Sequence, residues 1–176
     1  MKRSKTKRTD TTPAPRAVKK TSRMKPRRSA STVTHEQFLT KSEKETFKKA
    51  QEFGRTLERG DVVALNGELG SGKSVFTRGL LHSLGVRHKY LASPTFTLIN
   101  MYRGDVPVYH FDVYRFEDPR ELDGLGYEEF FFGEGVTIVE WADKVAAYLP
   151  RKHIRVSLKV LSETGRLIVI DRKGGS

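Results

Sequence analysis

The chain has 176 residues, 33 Lys or Arg against 21 Asp or Glu, and no cysteine. That length suits one domain with a tail, and the missing cysteines exclude disulfides and thiolate metal sites. There is no apolar run of about eighteen residues and no apolar segment near the N-terminus of the kind a secretion signal carries, so the expected location is the cytoplasm, with no membrane contact.

Charge divides the chain. Residues 1–30 hold twelve Lys or Arg and one acid, Asp10, and so carry +11 of the net +12. They contain no Leu, Ile or aromatic residue and cannot bury enough apolar area to offset ordering entropy. Residues 1–32 are therefore read as a disordered basic tail, solvated or able to touch RNA weakly, and residues 33–172 as the folded domain. An Arg- and Ser-rich, acid-poor start also suits an organelle transit peptide, although its early prolines and few large apolar residues argue against one.

Ser42-Glu43-Lys44-Glu45 is a capping box, opening a helix on which Phe47, Ala50, Phe53 and Leu57 recur at helical spacing; Gly60-Asp61 ends it. The apolar run Val62-Val63-Ala64-Leu65 then suits a buried parallel strand. Next comes Gly67-Glu68-Leu69-Gly70-Ser71-Gly72-Lys73-Ser74, which fits G-x-x-x-x-G-K-[ST] at every fixed position. Four fixed positions should coincide by chance in fewer than about one chain in a hundred of this length. A helix from Val75 to Leu84, ending at Gly85, completes the strand, loop, helix context. In that context the glycines let backbone N–H groups turn around phosphate oxygens, and the helix N-terminus, from Val75 on, adds its dipole. Lys73 is expected to reach the β and γ phosphates of a nucleotide and Ser74 to place its hydroxyl on Mg²⁺.

Ser93-Pro94-Thr95-Phe96-Thr97 breaks the helical pattern and has the small, hydroxyl-bearing character of a switch segment. Extended runs from Phe96 to Tyr102 and Val106 to Tyr114 form an expected hairpin across Arg103-Gly104-Asp105. Asp118-Pro119 caps short helical pieces from Glu121 to Phe132, interrupted by Gly124 and Gly126. Val136 to Val139 is a second buried strand, followed by a short helix to Leu149 and strands near Ile154 to Val160 and Leu167 to Ile170. The expected fold is a three-layer α/β architecture of the P-loop NTPase type, its sheet mostly parallel with antiparallel strands at one side.

A phosphate loop needs a second metal anchor, usually an acid at the end of an apolar strand. Asp112 follows Val108 to Phe111, and Glu140 follows Val136 to Val139. Glu140 is open to three roles: contact with Mg²⁺ through water, orientation of the attacking water, or both. Trp141, the only tryptophan, either packs over the sheet edge or works near the nucleotide or in partner contact. His110 reads as structural.

Taken together, the phosphate loop, Thr77-Arg78-Gly79-Leu80, Ser93-Pro94-Thr95-Phe96-Thr97, His110-Phe111-Asp112-Val113-Tyr114-Arg115 and Ile138-Val139-Glu140-Trp141 resemble the TsaE family, from about residue 34 to 172. Members are small bacterial ATPases needed for threonylcarbamoyladenosine modification of tRNA, acting with the TsaD and TsaB proteins. The resemblance implies that Ser74, Asp112 and Glu140 gather around Mg²⁺, that Thr95 belongs to a switch-like loop, and that Lys73, Glu140 and Thr95 serve hydrolysis. Ser71 and Ser74 replace the commoner Ala and Thr of the loop, and Ala142-Asp143-Lys144 stands where the family often has a Pro-Glu pair. Two other readings of the same residues are a small-molecule kinase, for which no arginine-rich lid is visible, and a nucleotide-dependent interaction module.

Overall fold

Val62, Val63, Ala64 and Leu65 form a central strand because their side chains alternate between two faces that are both covered. In the computed structural model, which describes residues 33–87 and 94–173, Val63 and Leu65 pack with Ala50, Phe76, Leu80 and Leu81. Val62 and Ala64 pack on the opposite face with Phe111, Leu122, Phe131 and Val145. The first face is covered by α1 (Glu43–Gly54) and α2 (Lys73–Ser83). The second is covered by 3₁₀ segments at Pro119–Leu125 and Ala142–Val145 and by the short α3 (Glu128–Phe131). Three layers result, as expected for a strand apolar on both sides.

The seven strands are β1 (Val33–Thr40), β2 (Val62–Asn66), β3 (Ile99–Arg103), β4 (Pro107–Asp112), β5 (Val136–Glu140), β6 (Ile154–Val160) and β7 (Arg166–Lys173), in the order β1-β7-β6-β2-β5-β4-β3. The central four, β6, β2, β5 and β4, are mutually parallel. Antiparallel strands flank both edges, β3 beside β4 and β7 with β1 beyond β6, where the sequence pattern placed them at one side. The difference includes β1, an unforeseen strand whose Thr34 to Gln37 are all exposed. An outer strand needs no apolar alternation on its open side, and polar residues there also discourage pairing with other chains.

Several boundaries move inward. Ser42 caps α1 through its hydroxyl, which accepts from Glu45 N–H at 3.1 Å, but the helix stops at Gly54, ahead of the expected Gly60. Its central buried stripe is Thr46, Ala50 and Gly54, with Phe53 and Leu57 packed at the margin. Small residues are needed there because α2 lies close. A Cβ on Gly79 would sit 2.6 Å from both the Ala50 Cβ and the Phe47 carbonyl oxygen. The hairpin strands are shorter than expected, and Gly124 lies inside a continuous 3₁₀ segment that ends only at Gly126. Asp118 begins that segment as foreseen, in a reciprocal capping box with Glu121. The short helix expected up to Leu149 is a 3₁₀ segment ending at Val145. The basic tail lies outside the described residues.

Candidate functional site

Strand β2 delivers the chain into the glycine loop, and α2 takes it away. Gly67, Gly70 and Gly72 stand at φ +147°, +77° and +99°, backbone conformations that side-chain-bearing residues rarely adopt. Gly67 also presses against β6, since a Cβ there would lie 2.4 Å from the Leu158 carbonyl oxygen. Gly72 caps α2 without a side chain, so Lys73 and Ser74 start the helix and the first-turn N–H groups face the loop's concavity.

Lys73 is folded back onto its own loop. Its Nζ donates to the Gly67 carbonyl at 2.7 Å and to the Glu68 carbonyl at 2.9 Å, and lies 3.6 Å from the centroid of the Trp141 ring. The residue is only 5% exposed. Burial pushes its pKa below the ordinary value, and the charges of Glu140 and then Asp112 oppose that shift.

The two strand-end acids are neighbours. Strands β4 and β5 run parallel in a register that pairs Asp112 with Glu140, at the carboxyl ends where open α/β sheets hold ligands. Glu140 is buried. Its Oε1 accepts from Thr77 Oγ1 at 2.9 Å and contacts His110 Nε2 at 3.0 Å, while its Oε2 accepts from Ser74 Oγ at 3.2 Å. His110 Nδ1 is buried and, among the described residues, has no hydrogen-bond partner. Asp112 Oδ2 accepts from Thr95 Oγ1 at 2.6 Å, and its Oδ1 from Tyr114 N–H at 3.0 Å.

The loop and the two acids line one cavity of about 610 Å³, bounded by loop residues Leu69 to Val75, by Thr95, Asp112, Glu140 and Trp141, and on a further side by Glu163, Thr164 and Arg166, with Thr77 and His110 behind Glu140 and outside the lining. Of the expected loop residues, Gly67 and Glu68 do not line it; their carbonyls hold Lys73 instead. Ser93 lies outside the described residues. Three participants went unforeseen. Thr77 lies three residues beyond Ser74, on the same face of α2. His110 shares a strand face with Asp112 by its two-residue spacing, so both had a legible signal. Arg166, more than ninety residues away in the chain, had none.

Trp141 has φ +63°, an uncommon conformation for a residue of its size, and its ring lies 4.8 Å from that of Tyr114. Packing over the sheet edge and proximity to the loop are therefore both realised. Among the described residues no cluster of three or more His, Asp or Glu side chains forms a metal cage. Two carboxylates and a loop hydroxyl suit a hard cation such as Mg²⁺ that takes its remaining ligands from phosphate and water.

A family model described as threonylcarbamoyl adenosine biosynthesis protein TsaE matches residues 40–168. The chain belongs to the TsaE family. It is 38% identical over 132 residues to the tRNA threonylcarbamoyladenosine biosynthesis protein TsaE of Treponema pallidum, covering 75% of this chain and 97% of that one. It is 42% identical over 116 residues to the Bacillus subtilis protein of the same description, covering 65% and 72%. The crystal structure of Bacillus subtilis YdiB superposes with a TM-score of 0.70 at 33% identity, over 82% of this chain and 90% of that one. The TsaE match runs from the end of β1 into β7 and contains every residue of the cavity, while residues 1–32 precede it.

Proposed function

We propose that this TsaE-family chain is an Mg²⁺-dependent ATPase whose hydrolysis supports turnover of the complex that makes N6-threonylcarbamoyladenosine in tRNA, acting with TsaD and TsaB proteins in the cytoplasm. The observation that carries the reading is the meeting of loop, cation and acids in one cavity. Lys73, the first turn of α2, Asp112 and Glu140 all line it. Among the described residues no helix is long and apolar enough to cross a membrane.

The glycine loop, with Lys73 and the N–H groups through Val75, binds the ATP phosphates. Lys73 exchanges two carbonyl acceptors for phosphate oxygens, a stronger charge-assisted contact. Ser74, Asp112 and Glu140 would hold Mg²⁺, which when bound neutralises charge on the β and γ phosphates. Glu140, fixed by Thr77 and His110 on one oxygen, keeps its other oxygen toward Ser74 and is placed to orient the attacking water. Thr95, held on Asp112, ties the switch-like segment to the same acid and so to the nucleotide state.

The test is ATP hydrolysis by the chain alone and together with the TsaD and TsaB proteins of the same organism. Partner-stimulated turnover is expected. Phosphate transfer to a metabolite would favour the kinase reading, and ATP binding without turnover under either condition would favour the interaction module.

A further inference from the structure

Arg166, the first residue of β7, spends its guanidinium on main-chain carbonyls. Nε donates to Ser71 O at 3.1 Å and Nη2 to Gly70 O at 3.1 Å, both in the phosphate loop. Nη1 donates to Gly165 O at 2.9 Å, Ser162 O at 3.0 Å and Glu163 O at 3.3 Å, closing the turn between β6 and β7. None of these acceptors is a carboxylate. The side chain therefore sets geometry and does not balance a charge.

The loop needs such a hold. Gly70 and Gly72 flank Ser71, both at positive φ, and glycine carries the largest backbone entropy to be lost. A Cβ on Gly70 would meet nothing within 4 Å, so packing does not restrain that residue. The Ser71 hydroxyl is buried and, among the described residues, makes no hydrogen bond. Ser71 itself is buried, and among the described residues the hydrogen bonds that hold the main chain here are one turn bond, Ser71 N–H to Glu68 O at 3.1 Å, and the Arg166 fork. A trans peptide directs its C=O and N–H to opposite sides. Drawing the Ser71 carbonyl toward Arg166 therefore turns the Gly72 N–H away from it, as a loop that cradles an anion requires.

We propose that Arg166 is a positioning residue of the phosphate loop, holding the Gly70 and Ser71 carbonyls outward and coupling the loop to the β6–β7 turn. That turn supplies Glu163 and Thr164 to the same cavity, so its placement and the loop's conformation are joined through one side chain. The inference rests on the nucleotide-binding reading of the cavity. A planar fork can span two successive carbonyls, whereas a lysine ammonium is a single point charge and cannot reproduce the span.

The experiment compares the full chain with Arg166→Met and Arg166→Lys in two ways. Amide hydrogen exchange of the nucleotide-free proteins is expected to rise over residues 68–74 in both variants, with exchange in β2 and β5 unchanged. ATP titration and steady-state kinetics are expected to show Kd and KM raised about tenfold by the loss of these bonds, kcat within about threefold, and little difference between the variants. Loop exchange equal to wild type, or full rescue by lysine, overturns the proposal. If wild-type protein binds no ATP, the functional reading fails, and the exchange measurement still decides whether Arg166 holds the loop. Should Arg166→Met not fold, Arg166→Lys alone carries both readouts.

Discussion

The Nζ of Lys73 lies 3.6 Å from the centre of the Trp141 ring while donating to the Gly67 and Glu68 carbonyls. The cation that should meet ATP is thus already satisfied, by a π face and by its own loop. Phosphate must draw it away from these partners, and the indole then loses its cation. As the chain has one tryptophan, its intrinsic fluorescence reports this exchange directly. We expect a saturable change on adding ATP with Mg²⁺, absent in Lys73→Met. An unchanged spectrum at saturating nucleotide would show that Trp141 only packs.

Lys73→Ala is expected to weaken ATP binding at least about a hundredfold, because the loop loses its mobile cation and charge-assisted contacts, each worth about 1.5–3 kcal/mol. The fold should persist, as no carboxylate is left unpaired by the change. Calorimetric titration and far-UV circular dichroism check the two halves.

Burial lowers the Lys73 pKa from its ordinary 10.5, which has a signed consequence for stability. Between the lowered folded value and 10.5 the unfolded chain holds a proton that the folded chain has released, so wild-type stability gains as pH rises through that window. Below it, the cost of the buried ammonium is constant. The stability of wild type minus that of Lys73→Met should therefore climb as pH approaches 10.5, read from urea midpoints. A flat difference would mean that the ammonium is not desolvated.

Glu140→Gln should lower kcat by about a hundredfold while changing ATP affinity only a few-fold, since a water-orienting carboxylate acts chiefly in the transition state. Asp112→Asn should instead raise the Mg²⁺ concentration needed for half-maximal turnover. Normal hydrolysis by both variants at limiting and saturating Mg²⁺ would remove these acids from the reaction.

Gly79→Ala should destabilise the domain by about 1–3 kcal/mol, because the new methyl meets the Ala50 Cβ and a backbone carbonyl of α1, each at 2.6 Å. The urea midpoint should fall with little change in slope. A midpoint equal to wild type would show that α1 and α2 can separate at no cost.

Removing residues 1–32 should leave ATP binding intact and weaken tRNA binding, because residues 1–30 carry +11 of the net +12. Cations on phosphate release counterions, so the full chain's tRNA affinity should fall steeply with salt and the shortened chain's should not. Equal affinity and equal salt dependence would leave the basic segment without a role in RNA contact.

The sequence alone determined the parts of this protein whose cause is local. Four glycine-loop positions, an apolar run before them and a helical pattern after them define the phosphate loop, because turn, strand and helix each follow from neighbouring residues. Asp112 and Glu140 were legible as acids closing apolar strands. Their pairing in register, the clasp of Thr77 and His110 on Glu140, and the cover of Trp141 over Lys73 became visible only in the tertiary structure, where strand order decides which chain ends meet. Strand β1 was hidden because an edge strand needs little apolar alternation. Arg166 was hidden for a different reason: it reaches Ser71 across 95 positions of sequence and recognises carbonyls, which every residue has. A contact to backbone leaves no mark on the identity of its partner, so only the fold could reveal which arginine holds the loop.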